Sequence, residues 1–599
     1  MDRRPIIGFV LIFLIIIGYP IVMNKVFPPK PLPPQAAQVA TDTTAQAPAG
    51  AAATTEPAVI PPATGALTAP DGTPVAAAPL NLVESLQPVA AAGGPDVVTV
   101  STPLYRARID TRGGVITSWE LLNHKSWRGG PVQLVPESGP DGGADKIVFR
   151  SAELDLATFP YEADQFSMDL TAGGGTRTLT LRGMTRGGLE VRKIFTFDPA
   201  THGVTVDLEI GGDGVAVGNL LTQTGNADAM RFGWNRGIAP IERQQKQEQN
   251  SIRSFASVGE DLHIRKRGGL AKDVAKVEGQ WRGSIHYAGV QDRYFTIVGI
   301  VPREQGEPVE GTLRLSGDRE RMAQTWAIDL PARRTGGGSI ATARLELYIG
   351  PQQADLLRVY GQGLENSMDL GWKWVAPLSK VVLWGMDLLY RYLPNYGVII
   401  IIFSVLTKLM FYPLTKTSTE SMKKMQELQP KLKALQEKYK NDKEKLNQAT
   451  MKLYQDEKVN PLSGCLPLLV QSPVFIALYQ ALSHTISLRG QPFFAWMRDL
   501  SQPDAIATMP FSLPFLGADV NILPFLMGIA MYFQTKYTPT TGGAQMALMN
   551  NMMPVIMIFI FYNMPSGLVL YWLVNNVMQA YQSWRIHKTA GQSGGVVKA

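Results

Sequence analysis

Hydrophobic residues are gathered into long runs at the start of the chain and in its last third. A transmembrane helix needs about 20 mostly apolar residues, and six runs approach that length. They are residues 6–23, 396–414, 466–482, 520–537, 546–564 and 567–584. This pattern predicts a mixed membrane protein with an N-terminal signal-anchor helix, within residues 1–27, and an all-α core of five transmembrane helices within residues 395–584.

A different pattern, alternation of apolar and polar residues, fills residues 96–350. Runs such as Tyr105–Asp110, Leu189–Phe197 and Ala343–Ile349 alternate with period two and are separated by glycine-containing turns. Alternate side chains of a strand point to opposite faces, so this region is predicted to be a large antiparallel β-sandwich. Residues 28–95 are rich in Pro and Ala and poor in charged and aromatic residues, which predicts a disordered linker.

The segments on either side of the second apolar run are amphipathic. Residues 351–394 begin with a polar helix and continue with one that carries tryptophans and charges on different faces, which is typical of a helix in the membrane interface. A short buried helix of the β-sandwich is the less favoured alternative. Residues 416–460 repeat apolar positions at spacings of three and four on both sides of Asn441, which predicts a helical hairpin.

The distribution of positive charge predicts how the chain is oriented in the membrane. The net charge of +7 would suit nucleic acid, but the lysines concentrate in the hairpin, which favours contact with lipid headgroups over nucleic-acid-specific binding. The positive-inside rule places the hairpin in the cytoplasm, so both termini are cytoplasmic and the β-sandwich is exported. No small-residue cleavage site follows the first run closely, which favours an uncleaved anchor over a removed signal peptide.

Lys408 lies in the inner half of the run 396–414. An intramembrane lysine costs roughly 2.5–3.5 kcal/mol near the centre of a span, so a polar cavity or a partner is one interpretation. At this depth its long side chain can also reach the interface. The run alone does not decide between them.

Polar residues of this run and of four others fall at the same predicted cytoplasmic depth, whereas the outer halves are almost purely apolar. Each polar residue alone would usually be a hydrogen-bonding contact between helices. Together they indicate a cavity wet on the cytoplasmic side and closed outside, unlike a channel or a transporter with a midplane site. They are Ser404, Thr407, Gln471, Ser472, Gln534, Asn550, Asn551, Asn575, Asn576 and Gln579.

We find no catalytic motif in the sequence. The histidines of the exported region lack metal-ligand spacing, and neither a nucleophile motif nor a P-loop is present. We therefore expect no enzymatic activity, no cofactor and no metal. The single cysteine, Cys465, excludes an intrachain disulfide.

Ordered motifs in the last third carry a family resemblance. They are Tyr412-Pro-Leu-Thr, Met425-Gln-Glu-Leu-Gln-Pro-Lys, Val459-Asn-Pro-Leu-Ser-Gly-Cys-Leu-Pro-Leu-Leu-Val-Gln-Ser-Pro and Pro565-Ser-Gly-Leu-Val-Leu-Tyr-Trp. The set closely resembles the YidC membrane protein insertases. The anchor, linker and exported domain resemble the Gram-negative form, whose periplasmic β-sandwich is similar to sugar mutarotases.

The resemblance implies an inner-membrane insertase and chaperone with a hydrophilic groove open to cytoplasm and lipid. Its partners would be nascent membrane proteins, the Sec translocon, the bilayer and the ribosome. The implied groove residues are Lys408, Ser404, Thr407, Gln471, Ser472, Phe475, Ile560, Trp572 and Asn575, of which Ser472, Phe475, Ile560 and Trp572 would form a substrate slide.

Two departures from the family stand out. Most members have arginine at the position of Lys408, and lysine lacks the planar five-donor fork of arginine. The tail, residues 585–599, is short, so the hairpin is the expected ribosome contact. Two other functions stay open: a secondary transporter, although no inverted repeat is visible, and a membrane-anchored protein that binds or modifies sugars in its β-domain.

Overall fold

The computed structural model describes most of the chain after residue 81. The described residues are 82–91, 93–136, 143–212, 227–243, 248, 251–266, 276–318, 323–333, 339–372, 374–440, 442–457, 459, 466–513, 516–537 and 544–593. The predicted anchor, residues 1–27, and most of the predicted linker lie outside them.

The β-rich region consists of two sheets. Its strands are β1 Val97–Ser101, β2 Tyr105–Asp110, β3 Val115–Lys125, β4 Pro131–Gln133, β5 Lys146–Phe149, β6 Glu153–Asp155, β7 Glu162–Ala163, β8 Ser167–Asp169, β9 Arg177–Met184, β10 Leu189–Phe197, β11 Gly203–Gly212, β12 Ala227–Trp234, β13 Arg253–Val258, β14 Asp261–Lys266, β15 Lys276–Gln291, β16 Phe295–Ile300, β17 Val309–Asp318, β18 Ala323–Pro331 and β19 Ser339–Pro351. The smaller sheet has the order β4-β3-β2-β1-β8, and the larger one runs from β6 to β7 through β12, β17, β15, β19 and β10.

Alternating burial explains how these strands make one core. In β10, every second residue from Leu189 to Phe197 is buried, as the period-two pattern predicts. Buried residues of both sheets, such as Trp119 of the smaller and Phe195 of the larger, belong to the same apolar cluster. Neighbouring strands are antiparallel except β1 and β8, which are parallel. The prediction of a β-sandwich is confirmed, with this one parallel pair.

The start of the domain corrects the predicted linker boundary at residue 95. A short helix, α1 (Leu82–Ser85), precedes the first strand, and Leu86 is buried in the core. The Val89 amide donates to the Met184 carbonyl at 2.8 Å. Because Leu86 packs in the core and the Val89 backbone pairs with β9, the segment is ordered although its composition resembles the linker.

The predicted polar helix after the domain is broken. Helix α2 (Ala354–Arg358) and a 3₁₀ turn (Leu364–Ser367) replace it. Gly361 and Gly363 between them adopt φ of 69° and 70°, a left-handed conformation that ends an α-helix. Helix α3 (Ala376–Tyr390) follows, with Pro377 in its first turn.

The second apolar run does not end at residue 414. Helix α4 (Tyr396–Glu427) continues through Pro413 into the region predicted as the first hairpin helix. Thr417 donates to the Pro413 carbonyl at 3.0 Å within this stretch. Helices α5 (Gln429–Lys438) and α6 (Lys443–Asp456) then pack against each other and are joined by the ion pair Lys431–Glu457 at 2.6 Å.

The later apolar runs form α7 (Leu466–His484), α8 (Leu523–Tyr537), α9 (Ala544–Phe561) and α10 (Ser566–Ser593). Helix α8 starts after the predicted residue 520, because residues 517–521 form strand β21 (Gly517–Asn521), paired with β20 (Ala505–Leu513). The Asp504 carboxylate accepts the Leu523 amide at 2.7 Å and so caps α8. Helix α10 extends nine residues beyond the predicted end at 584, into the predicted tail.

By length and composition, one helix among the described residues is apolar enough to cross a membrane, Tyr396–Met422, and Asn551–Phe561 is a shorter apolar helix. Helix α8 has only 15 residues. Asn575, Asn576 and Gln579 interrupt the apolar sequence of α10. The number of spans therefore stays a prediction.

Candidate functional site

Lys408 of α4 lies between helices and is 7% exposed. Its ammonium donates to the Gln579 side-chain oxygen on α10. No ion pair to Lys408 exists among the described residues, so a neutral amide is its nearest stabilising group. A buried cation without a counter-ion is unfavourable, so an anionic group that comes close to it is stabilised.

Ser404 and Thr407 line the same face of α4. The Ser404 hydroxyl donates to the Ile400 carbonyl at 2.8 Å, and the Thr407 hydroxyl lies 2.9 Å from the Phe403 carbonyl. Both hydroxyls are therefore satisfied by their own helix, a common arrangement for Ser and Thr inside helices. They add polarity beside Lys408 without holding its ammonium.

Tyr571 of α10 joins three of the predicted residues. Its phenol lies near the side chains of Thr407, Gln471 and Asn575. The amide of Asn575 also donates to the Tyr571 carbonyl at 2.9 Å. Helices α4, α7 and α10 thus meet at this point, and the structure brings these predicted residues together.

Aromatic rings form the next part of the site. Phe475 of α7 and Trp572 of α10 are in edge contact, with ring centroids 4.6 Å apart. Phe561 at the end of α9 also contacts Trp572, with ring centroids 5.3 Å apart, and Ile560 beside it is half-buried. Ser472 is half-buried one turn before Phe475. The predicted slide residues are therefore distributed over α7, α9 and α10, with Trp572 between the rings of the other two helices.

Helix α10 carries several buried polar atoms without a hydrogen-bond partner in the described part of the chain. Such atoms are rare in folded proteins, and they need water or a bound polar group. They are Trp572 Nε1, Asn575 Oδ1, Asn576 Nδ2 and Gln582 Oε1. They recur at helical spacing together with Gln579, the partner of Lys408, so they belong to one polar face of α10.

The opposite ends of the helices are closed by protein. A Cβ on Gly397 would lie 1.9 Å from the Phe493 ring, so α4 packs directly on the loop after α7. The Gly567 amide donates to the Leu500 carbonyl at 2.9 Å, and Asn521 donates to the Tyr562 carbonyl at 2.7 Å. Lys408 lies about 18 Å further along α4 from Tyr396 at 1.5 Å per residue.

This closed end is also attached to the β-domain. Arg489 donates to the Glu242 carboxylate at 2.6 Å, and both side chains are almost fully buried. Gln502 donates to the other oxygen of Glu242 at 2.8 Å, and Arg293 to the Ser483 carbonyl at 2.5 Å. The sequence pattern missed these contacts because their partners lie far apart in the chain.

No group of three or more His, Cys, Asp or Glu side chains that could hold a metal ion occurs among the described residues. The sequence predicted Gln579 to lie at the depth of Lys408 in the membrane but did not identify it as the hydrogen-bond partner. Its pairing needed the packing of α10 on α4, which no spacing along the chain reveals.

The fold and the site together define a membrane protein in which a large β-domain precedes a helical region with a buried, uncompensated cation. The model of the YidC periplasmic domain matches residues 97–384, and that of the 60Kd inner membrane protein matches residues 388–593. The membrane protein insertase YidC of Syntrophus aciditrophicus (strain SB) is 33% identical over 597 residues, which cover 98% of this chain and 100% of that relative.

A second insertase YidC, from Pelobacter propionicus (strain DSM 2379 / NBRC 103807 / OttBd1), is 34% identical over 82% of this chain and 86% of its own. A solved structure described as an active YidC insertase with the first transmembrane domain resolved is 17% identical, covers 84% of this chain and 96% of that chain, and has a TM-score of 0.34. The chain belongs to the YidC family of membrane protein insertases. It is accordingly an inner-membrane protein with a periplasmic β-rich domain.

Proposed function

We propose that this protein inserts nascent membrane proteins into the inner membrane through a groove between α4, α7 and α10. The observation that carries the proposal is Lys408, which is 7% exposed and has a neutral amide, Gln579, as its partner. A permanent structural cation would be paired with a carboxylate, since burying an unpaired charge is unfavourable. An unpaired one suits a transient anionic ligand.

The ligand is the short acidic segment of a substrate that must cross to the periplasm. It enters the groove from the cytoplasm and is attracted by Lys408, while its hydrophobic segment passes Phe475, Trp572 and Ile560 into lipid. Attraction to one charge in a water-containing groove is modest, so partitioning of the apolar segment supplies most of the driving force. No covalent step is needed, so the protein acts as an insertase and chaperone and not as an enzyme.

The orientation follows from the closed end of the helices. The loop after α7 and the β-domain lie on the periplasmic side, and α5 and α6 lie in the cytoplasm. Six spans then give two cytoplasmic termini. A basic surface for the ribosome is offered by lysines of the two cytoplasmic helices and the turn between them, at positions 431, 433, 438, 440 and 445. The Sec translocon is the expected partner within the membrane.

Removing the charge at Lys408, or the acidic residues of the substrate, tests this proposal. Lys408→Arg and Lys408→Ala are compared in proteoliposomes with single-span substrates whose periplasmic tails differ only in acidic residues. We expect Lys408→Arg to insert the acidic-tailed substrate at the wild-type rate and Lys408→Ala to insert it several-fold more slowly, with little difference for a neutral tail. Equal rates of insertion of the acidic substrate by both variants would show that the charge of Lys408 plays no part in insertion.

A further inference from the structure

A cavity separate from the groove lies between α3 and the segment that joins the β-domain to it. It has a volume of about 410 Å³, within the range of small-molecule sites. One wall is α3, with Lys380, Asp387 and Arg391 at its lining positions. The other wall is α2 and the following 3₁₀ turn. It shares no lining residue with the groove.

Charges of both signs line this cavity in equal number. The cations are Arg358, Lys380 and Arg391, and the carboxylates are Asp355, Glu365 and Asp387. The only ion pair among them, Arg358–Asp355 at 3.1 Å, lies within one wall and is exposed. Among the described residues no ion pair joins the two walls. Lys380 donates to the Asn366 side chain of the other wall at 3.1 Å, and Asp387 accepts from the Tyr396 hydroxyl at 3.4 Å. These partners are neutral, so these two charges are not compensated and a ligand that carries both signs can pair with them.

The cavity opens onto an apolar strip of α3. Trp384 and Leu388 line the cavity, yet they are 67% and 37% exposed, and Val381 beside them is 60% exposed. These three residues follow a helical spacing of three and four, so they form one continuous face. An exposed tryptophan on an apolar helix face is typical of the membrane interface, and α3 leads directly into α4.

A charged cavity beside an apolar strip has the layout of a phospholipid site. We propose that it binds the headgroup of a zwitterionic aminophospholipid, phosphatidylethanolamine in chemical terms. The phosphate pairs with Arg358, Lys380 or Arg391, and the primary ammonium donates hydrogen bonds to Glu365 and Asp387. The acyl chains lie along Val381, Trp384 and Leu388. A soluble zwitterion would leave that strip uncovered.

Brominated lipids test the proposal, because bromine quenches tryptophan fluorescence at short range. The full chain and its Trp384→Phe variant are placed in phosphatidylcholine nanodiscs that contain an equal small fraction of brominated phosphatidylethanolamine, phosphatidylcholine or phosphatidylglycerol. The difference between the two proteins isolates Trp384. We expect brominated phosphatidylethanolamine to quench it about threefold more than the other two, as for one or two partly exposed ion pairs.

Carboxylate variants then separate a site from ordinary lipid contact. Glu365→Gln with Asp387→Asn should abolish the preference, whereas the matched control Glu260→Gln with Asp261→Asn, in an exposed turn of the β-domain, should keep it. Equal quenching by all three lipids in the wild-type protein overturns the proposal. So does stronger quenching by phosphatidylglycerol, which would make the cavity a site for anionic lipid.

Discussion

Lys408 and Gln579 form a pair that gives the groove its charge without neutralising it. The cost of an intramembrane lysine allowed either a cavity or a side chain reaching the interface, and the structure places the ammonium against α10, at a helix–helix contact. The depth of Lys408 in the membrane stays a prediction that rests on its position along an apolar run. Its partner could not be predicted, since Gln579 lies 171 residues further along the chain.

Replacing Gln579 tests whether the open charge of Lys408 matters. Gln579→Glu places a carboxylate beside the ammonium, and we expect insertion of an acidic-tailed substrate to slow about tenfold, equivalent to about 1.4 kcal/mol. Gln579→Leu removes the hydrogen bond but leaves the charge, so it serves as the control. Initial insertion rates by protease protection give the answer, and equal rates for the two variants would contradict the pairing.

Helix boundaries could be predicted where an apolar run gives way to polar residues. They were missed where the helix continues beyond the apolar run. Helix α4 continues through Pro413 because the residues after it still favour a helix. Strands β20 and β21 were not predicted, because the loop that contains them shows no clear alternation of apolar and polar residues. The β-sandwich core, by contrast, could be predicted from the regular alternation of apolar and polar residues along its strands. Tertiary contacts between distant elements account for most of what was missed.

The buried pair Arg489–Glu242 connects the loop after α7 to the β-domain. Removing one partner of a buried ion pair typically costs about 3–5 kcal/mol, because the other charge is left uncompensated. We expect Arg489→Ala to raise hydrogen exchange in residues 241–242 and 500–504 strongly. Arg243→Ala, which breaks the more exposed pair with Asp519, should change exchange little, about 0–1 kcal/mol. Similar exchange in both variants would show that the buried pair does not hold the domain.

Two carboxylates near that connection make its stability depend on pH. Burial, together with the charge of Asp292, raises the pKa of Glu248 from 4.5 to about 9, and burial raises the pKa of Asp292 from 3.8 to about 7. Between about pH 7 and 9 the folded state therefore keeps protons on these two carboxyls that the unfolded chain has lost, so their contribution to the free energy of unfolding falls as pH rises. Below about pH 6.5 His124 and His202 act in the opposite direction, because burial lowers the pKa of each from 6.5 to about 4.

Thermal melting of the full chain in nanodiscs should show this loss. We expect a lower midpoint at pH 8.5 than at pH 7, where the histidines are neutral in both states, and a smaller difference in Glu248→Gln, whose amide cannot ionise. Glu310→Gln, an exposed carboxamide change elsewhere in the β-domain, is the control. A midpoint that stays the same between these pH values in the wild-type protein would mean that both carboxylates are already ionised in the folded state.

At the scale of the whole molecule, the β-domain and the helical region each have their own apolar core. The large cluster of the β-domain includes Trp119, Phe195 and Trp326, and the helical region buries its own residues around Leu570 and Tyr571. If insertion resides in the helices, the periplasmic domain is dispensable for it. The domain boundaries at α1 and β19 define a deletion of residues 82–353 that leaves no orphan strand.

This deletion separates an insertase from a sugar-modifying protein anchored in the membrane. We expect the truncated protein to retain insertion of single-span substrates within about threefold, because Arg489 and Gln502 become solvated and are not left buried. Complete loss of insertion in a truncated protein that still reaches the membrane would place the function in the β-domain. The full chain with Lys408→Ala serves as the reference, because its insertion activity should fall through a defect in the proposed groove alone.

Photocrosslinking to a stalled nascent chain tests most directly whether the substrate passes between α7 and α10. A photoreactive residue is placed at Phe475 or Trp572, and at Ile529 of α8, which is 55% exposed, as the control. The account predicts strong adducts between the substrate's hydrophobic segment and positions 475 and 572, and weak ones at 529. Equal adducts at all three positions, or adducts at 529 alone, would contradict it.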